Sequence, residues 1–490
     1  MHKALIGLVV VLLIIPCLGF HQVILMPSTP ASDRNDHPQG RLTLHYQVHT
    51  PISIWGNGVF TNQATDEGWP GTGTNVDPYI IDGLNISDYP GDLIEIQYVD
   101  VYFIIQNCIL VNGTVGVYFE QVTNGQINNN TLSRNEKGIF LRSSTNNTLT
   151  QNTLNKNDDG ISLEDSANNT ITQNTFNKNG LYIAGGTVKK CLQQNVDDNT
   201  VNDKPLVFWQ HVIGGTVATG AGQVILINAS AVTVRNQDIS DATVGIQALY
   251  CDSLDLTNNI LSRNSHYGLY LKGSADNIIT QNTLSDNHYG INLYVTANNT
   301  VTQNILNKND DGISLEDSAN NTITQNTFNE NGLHIIGGTV EKCLQQNVDD
   351  NTVNGKPLVF WQHVIGGTVP AGAGQVILIN TSAVTVRNQD ISDATGGIQV
   401  FFCDFLDLSD NNLSKNHYFG IKLRASANNT LTNNTLYKNS NFGIFLRDSV
   451  NNTLTDNVII NSGSYGIILY EADHNTVSKN NFIGNNPEGG

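Results

Sequence analysis

From Asn146 onward one short motif returns every 22 or 23 residues: Asn-Asn-Thr, a Leu or Ile, Thr-Gln-Asn-Thr, a polar turn, then Gly-Ile-x-Leu. Gly268, Gly290 and Gly312 lie 22 apart, Gly420, Gly443 and Gly466 lie 23 apart, and Asn282, Asn304 and Asn326 keep step with the first set. A unit this short, with two brief β runs, cannot bury its own apolar face, so successive units must stack into a solenoid of parallel strands. A second period of 152 residues carries Cys191 onto Cys343 and Trp209 onto Trp361 without a gap. It reads as a duplicated block, residues 124–275 and 276–427, each of about seven coils.

One coil can be built from its residues. Leu149, Leu154, Ile161 and Leu163 have the counterparts Ile171, Phe176, Leu181 and Ile183 in the next turn, and Ile313 and Leu315 in the second block, so like apolar residues stack in inward columns. Asn152, Asn174, Asn304 and Asn326 fall at a corner, where a side-chain amide can satisfy backbone groups left unpaired by the bend. The Gly before each Ile-x-Leu is expected at a corner of positive φ. Proline is scarce in the coils, as it must be where each N–H serves a neighbouring strand. A leucine-rich repeat needs a Leu-x-x-Leu-x-Leu frame, and a calcium-binding nonapeptide roll needs Gly-Gly-x-Gly-x-Asp; neither is present. The expected fold is all-β: a right-handed, single-stranded parallel β-helix running as one array from about residue 85 to 484, its hand following the general preference of parallel crossovers.

Acidic residues outnumber basic ones 43 to 24, for a net charge of −19, which excludes binding to a nucleic-acid backbone. His2-Lys3 and the apolar run to Phe20 predict an export signal or an uncleaved membrane anchor over residues 1–26, and therefore a secreted, periplasmic or cell-surface protein. Pro16 before Cys17 is a poor match to a lipidation site. The other cysteines, Cys108, Cys191, Cys251, Cys343 and Cys403, are odd in number and read as buried free thiols. Asn-x-Ser/Thr sequons abound, among them Asn85, Asn112, Asn168, Asn320 and Asn428, and read either as turn chemistry or as glycosylation sites.

Residues 27–50 form a polar linker with Pro27, Pro30 and Pro38. Residues 51–105 lack the repeat frame and are expected to form an N-terminal cap with the first coils, ahead of the repeats at 106–490. The runs Gly71 to Thr74, Asp77 to Ile81 and Tyr102 to Cys108 resemble the opening of secreted archaeal NosD-like proteins, within the wider carbohydrate-binding and sugar-hydrolysis (CASH) group. Asn202 to Trp209 with Gly214 to Val217, and the copy from Asn354, are similar to an insert of that group. The resemblance spans about residues 52–484; it implies the same right-handed β-helix and raises copper supply as a role.

Three residue groups are candidates for chemistry. Asp158, Asp159, Glu164 and Asp165, repeated as Asp310, Asp311, Glu316 and Asp317, could supply an acid and base for glycoside hydrolysis or ligands for calcium, or form solvated corners. The β-helix pectinase motifs Gly-His-Gly and Arg-x-Lys are missing. His266, His288 and Asp310 fall on consecutive coils and could stack as a transition-metal site, with copper as one possibility; Met1 and Met26 are the only methionines, which excludes a methionine-rich site. Trp209 with His211, and Trp361 with His363, are candidate sugar platforms about 33 Å apart if seven coils rise about 4.8 Å each; alternatively each Trp packs a loop on the tube. The reading that joins these is a non-catalytic exported β-helix binding polysaccharide or a cell-surface glycan. The alternatives are a polysaccharide lyase or glycoside hydrolase using the acidic face, and a NosD-like periplasmic copper-binding protein. The final coil, Thr476 to Ile483, presents a strand edge expected to favour self-association.

Overall fold

The computed structural model describes residues 46–485. The signal or anchor, most of the linker and residues 486–490 lie outside the described residues. What is described is a right-handed parallel β-helix with three faces, of 22–23-residue coils. Inward residues match the sequence columns: Leu149 pairs with Ile171, Leu154 with Phe176, and Ile161 with Leu181, all fully buried. At the corner, the Asn282 backbone N–H donates to Asn304 Oδ1 at 2.9 Å, and Asn282 Nδ2 donates to the Leu256 carbonyl at 2.8 Å. The Asn304 and Asn326 amides repeat this one coil on, so each bend's free donor is met by the next coil.

The repeat glycines have a different role from the one expected. Gly290 lies inside the strand Tyr289–Tyr294, not at a positive-φ corner. A Cβ there would stand 2.6 Å from the Gly312 carbonyl oxygen and 2.9 Å from Leu306, so close approach between coils is what requires glycine. Positive φ falls instead on polar corner residues such as Asn298 and Gln303.

The array is also interrupted, where one continuous run was expected. The longest strand of each coil forms three separate ladders, Ile52–Trp55 to Leu181–Ile183, Lys204–Gln210 to Leu333–Ile336, and Lys356–Gln362 to Tyr465–Tyr470. These define three segments. At each break the chain reverses in a hairpin, Val201 opposite Lys204 and Val353 opposite Lys356, the two antiparallel ladder pairs among the described residues. Asn202 and Asp203, and Asn354 and Gly355, all have positive φ, as a two-residue turn matching strand twist requires. Lys204–Gln210 and Lys356–Gln362 then open the next ladder. An estimate of 33 Å between Trp209 and Trp361 from an unbroken rise does not apply to such an array.

Each break leaves the edge of the preceding ladder open, and glutamines of the next segment close it. Gln223 Oε1 accepts from the Leu181 N–H at 3.0 Å while its Nε2 donates to the Leu181 carbonyl at 2.7 Å; Gln247 Nε2 donates to the Ile183 carbonyl at 2.9 Å. At the second break Gln375 brackets Leu333 in the same way, while Gln399 Oε1 accepts from the Ile335 N–H at 3.2 Å and its Nε2 donates to the Leu333 carbonyl at 2.7 Å. All four glutamines are fully buried, so these are junctions between packed segments. At the N-terminal end a helix the sequence pattern did not reveal, Asn57–Asp66, lays Phe60 on the Tyr79 and Phe103 rings at 5.3 and 4.9 Å between centroids and covers the core.

Candidate functional site: the outer face and its junctions

Much of the outer face of the long-strand ladder is buried at the junctions, with Gln247, Tyr270, Asn292, Ser314 and Lys422 all covered. In the second segment it forms a groove of about 290 Å³ lined by Tyr267, Tyr270, Lys272, Tyr289, Asn292, Tyr294 and Glu316, with Ala184 of the first segment as one wall. Tyr267 stacks on Tyr270 at 4.6 Å and 16°, and on Tyr289 at 5.2 Å and 24°. The Lys272 ammonium sits 5.4 Å from the Tyr294 ring centroid. The stack arises because strands one coil apart pair in register, Tyr267 with Tyr289 and Lys272 with Tyr294. Burial, then the charge of Asp311, pushes the Tyr289 hydroxyl up to about 12, so it remains a hydrogen-bond donor at neutral pH. Burial, then Asp317, raises the Glu316 carboxyl above its ordinary value.

The acidic candidates are dispersed by the fold. Asp159 and Asp311 are buried at the junctions, facing His266 Nε2 at 3.2 Å and His334 Nδ1 at 3.1 Å. Burial pushes the Asp159 carboxyl up against the pull of His266. Burial likewise pushes the His334 imidazole down, opposed by Asp311. Glu164 lies 3.8 Å from Arg142, Asp165 lies 3.6 Å from Lys190, and Asp317 lies 3.7 Å from Lys342. Asp158 is exposed, and its carbonyl accepts from Ser265 Oγ at 2.7 Å.

His288 and Asp310 do meet: His288 Nδ1 is 2.6 Å from Asp310 Oδ2, which holds the imidazole above and the carboxyl below their ordinary values. His266 turns away from them toward Asp159; the third neighbour is His417, whose Nδ1 is 3.7 Å from Asp310 Oδ1 and whose Nε2 lies 3.2 Å from the Glu330 carbonyl. Among the described residues no group of three or more His, Cys, Asp or Glu side chains is arranged to hold a metal ion. Trp209 and Trp361 are half-buried, packed against the core beside Gly215 and Gly367. His211 and His363 each bond an adjacent asparagine, Asn228 at 2.9 Å and Asn380 at 3.1 Å.

Sequence reasoning passed over the tyrosine groove and His334, although the 152-residue offset carries their signal. The first junction pairs Tyr182 with His266 at 5.3 Å between ring centroids, and the second pairs His334 with Tyr418 at 5.2 Å. Tyr182 corresponds to His334 and His266 to Tyr418, so the two rings have changed sides while an imidazole still faces the buried aspartate.

Fold and coil length together define the class, a right-handed parallel β-helix protein, and the sequence profile of the right-handed β-helix region matches residues 57–224. The chain belongs to the NosD family, described as periplasmic copper-binding protein, whose profile matches residues 211–361 and 343–490. No curated protein matches it in sequence. Among solved structures it is similar to the periplasmic alginate epimerase AlgG, with 10% identity, 88% of this chain and 84% of that chain covered and a TM-score of 0.24. It is also similar to the Azotobacter vinelandii mannuronan C-5 epimerase AlgE6 A-module, with 12% identity, 82% and 84% covered and a TM-score of 0.21. A third is the catalytic domain of a GH87 α-1,3-glucanase in complex with nigerose, with 10% identity, 93% and 71% covered and a TM-score of 0.21.

Proposed function

We propose that this protein is an exported, non-catalytic β-helix that binds a polysaccharide chain across the outer face of its second segment. The carrying observation is the groove of Tyr267, Tyr289 and Tyr294 with Lys272, Asn292 and Glu316. Aromatic faces offer apolar surface to the C–H faces of sugar rings, while the hydroxyl, amide and charged groups can meet their hydroxyls. The non-catalytic reading is supported by Asp159, Glu164, Asp165 and Asp311, which are committed to imidazoles, arginine or lysine and leave Glu316 as the one carboxylate among the described residues lining the groove, without a second to serve as its acid or base partner. Export is supported by the periplasmic description of the family and by the apolar start of the sequence.

The family's copper-binding description calls for donors that the described residues do not assemble. Cys108, Cys191, Cys251, Cys343 and Cys403 are separately buried, and burial is the first cause pushing each thiol up, against formation of the thiolate that binds metal. His288, Asp310 and His417 are spent on one another and on a backbone carbonyl.

Affinity electrophoresis in gels containing neutral glucans or polyuronates tests the reading. Retardation in at least one gel is expected, lost in the Tyr289→Ala, Tyr294→Ala double variant with its melting temperature preserved. Migration unaffected by every polymer, or retardation indifferent to that variant, overturns the assignment; release of new reducing ends overturns its non-catalytic part.

A further inference from the structure

Sequons recur along this chain and, apart from Asn85 inside the strand Leu84–Ser87, their side chains divide into two groups. At Asn112, Asn129, Asn412 and Asn433, Nδ2 is already donated to Asp88, Asn107, Asp390 and Asp410, and at Asn228 and Asn380 it meets a histidine ring. The second group is Asn146, Asn168, Asn298, Asn320, Asn428 and Asn451, each the first residue of Asn-Asn-Thr. All six stand at the same corner, two residues before a strand of the second face, are exposed, and have φ between 53° and 58°. None of their side-chain amides forms a hydrogen bond among the described residues. The second asparagine of each motif is the buried ladder residue, as at Asn147, Asn169 and Asn299.

The corner does not demand asparagine. In other coils the equivalent positive-φ position holds Ala231, Ser253, Asp276, Ala383, Phe405 or His474. The buried asparagine serves the amide ladder, whereas no contact among the described residues accounts for the exposed asparagine that completes the sequon. A bulky chain attached there would project into solvent without disturbing a ladder.

We propose that these six asparagines are the N-glycosylation acceptors of the exported protein, and that the engaged sequons are spared. In the transfer, Asn Nδ2 attacks the anomeric carbon of a polyprenyl-phosphate-linked oligosaccharide. The N–C1 bond forms, the C1–O bond to phosphate breaks with its electron pair leaving on the lipid phosphate, and Nδ2 gives up one proton. Nothing is oxidised or reduced. This inference is independent of the polysaccharide reading: it concerns sugar carried by the protein, on a different face from the tyrosine groove.

The test is glycopeptide mapping by electron-transfer mass spectrometry on the chain purified from its own host. Saccharide mass is expected on asparagines of the six-membered set and not on Asn112, Asn129, Asn412 or Asn433. Two variants separate modification from folding. Asn298→Gln should remove the saccharide from that coil, with the melting temperature preserved because glutamine already holds positive φ at Gln303. Thr300→Ser should retain it and Thr300→Val should lose it. Unmodified corner asparagines in the native protein, or saccharide distributed equally over engaged and free sequons, would overturn the proposal.

Discussion

The exchange of Tyr182 and His266 for His334 and Tyr418 permits a decisive perturbation of the second junction. Asp311 is fully buried, with Oδ2 on His334 Nδ1 at 3.1 Å and Oδ1 without a hydrogen-bond partner. His334→Tyr would leave this carboxylate facing a phenol, as in the first junction, but without the His266 counterpart that serves Asp159 there. With His334 held below its ordinary value, what is lost at neutral pH is a hydrogen bond to a buried charge, about 1.5–3 kcal/mol. The nearby Lys422, buried and pushed down to about 8 by burial and then Arg424, still offsets part of the charge, which favours the lower figure. A loss of about 2 kcal/mol corresponds to roughly a thirtyfold rise in local opening. The readout is hydrogen exchange at Leu333 and Ile335, whose amides are held by Gln375 and Gln399. Adding Tyr418→His rebuilds the first junction's arrangement, and the double variant should recover most of the protection, a coupling on the order of 2 kcal/mol. Exchange unchanged in the single variant, or a double variant no better protected than the single one, would refute the reasoning.

Gly290→Ala should destabilise the second segment by about 1–3 kcal/mol through its contact with the Gly312 carbonyl. Gly58→Ala, in the N-terminal helix with open space around it, should be neutral or stabilise by up to about 1 kcal/mol; thermal unfolding of the pair checks both. In a histidine NMR titration His288 should titrate above 6.5 and His334 below it. By linkage, the His288 contribution is complete below about 6.5 and fades as pH rises through its raised folded value, whereas His334 costs stability as pH falls below 6.5. Asp310→Asn should bring His288 back toward its ordinary value, and a His288 titration indifferent to it would reject the pairing.

The inward columns of Leu149, Ile171, Ile313 and Leu315 and the corner ladder through Asn152 and Asn304 were legible because a coil repeat maps sequence period directly onto spatial stacking. The same periodicity made the glycines prominent, but period alone does not distinguish a corner from a close approach; Gly290 needed its neighbour's carbonyl to be located. The breaks at Asn202-Asp203 and Asn354-Gly355 were written locally, as a turn pair favouring positive φ, and a strict solenoid frame hid them.

What the sequence determined by itself was the coil: its length, its buried columns and its amide ladders, set by contacts such as those of Asn282 with Asn304 and Leu256, 22 and 26 residues away. The tertiary structure alone decided the junctions, where Leu181 meets Gln223 across 42 residues and Ile183 meets Gln247 across 64. No local period specifies such separations. Whether a side chain at that distance lines a groove, faces a buried aspartate or remains free for chemistry depends on which ladder edge is left open, and that is fixed only when the segments pack.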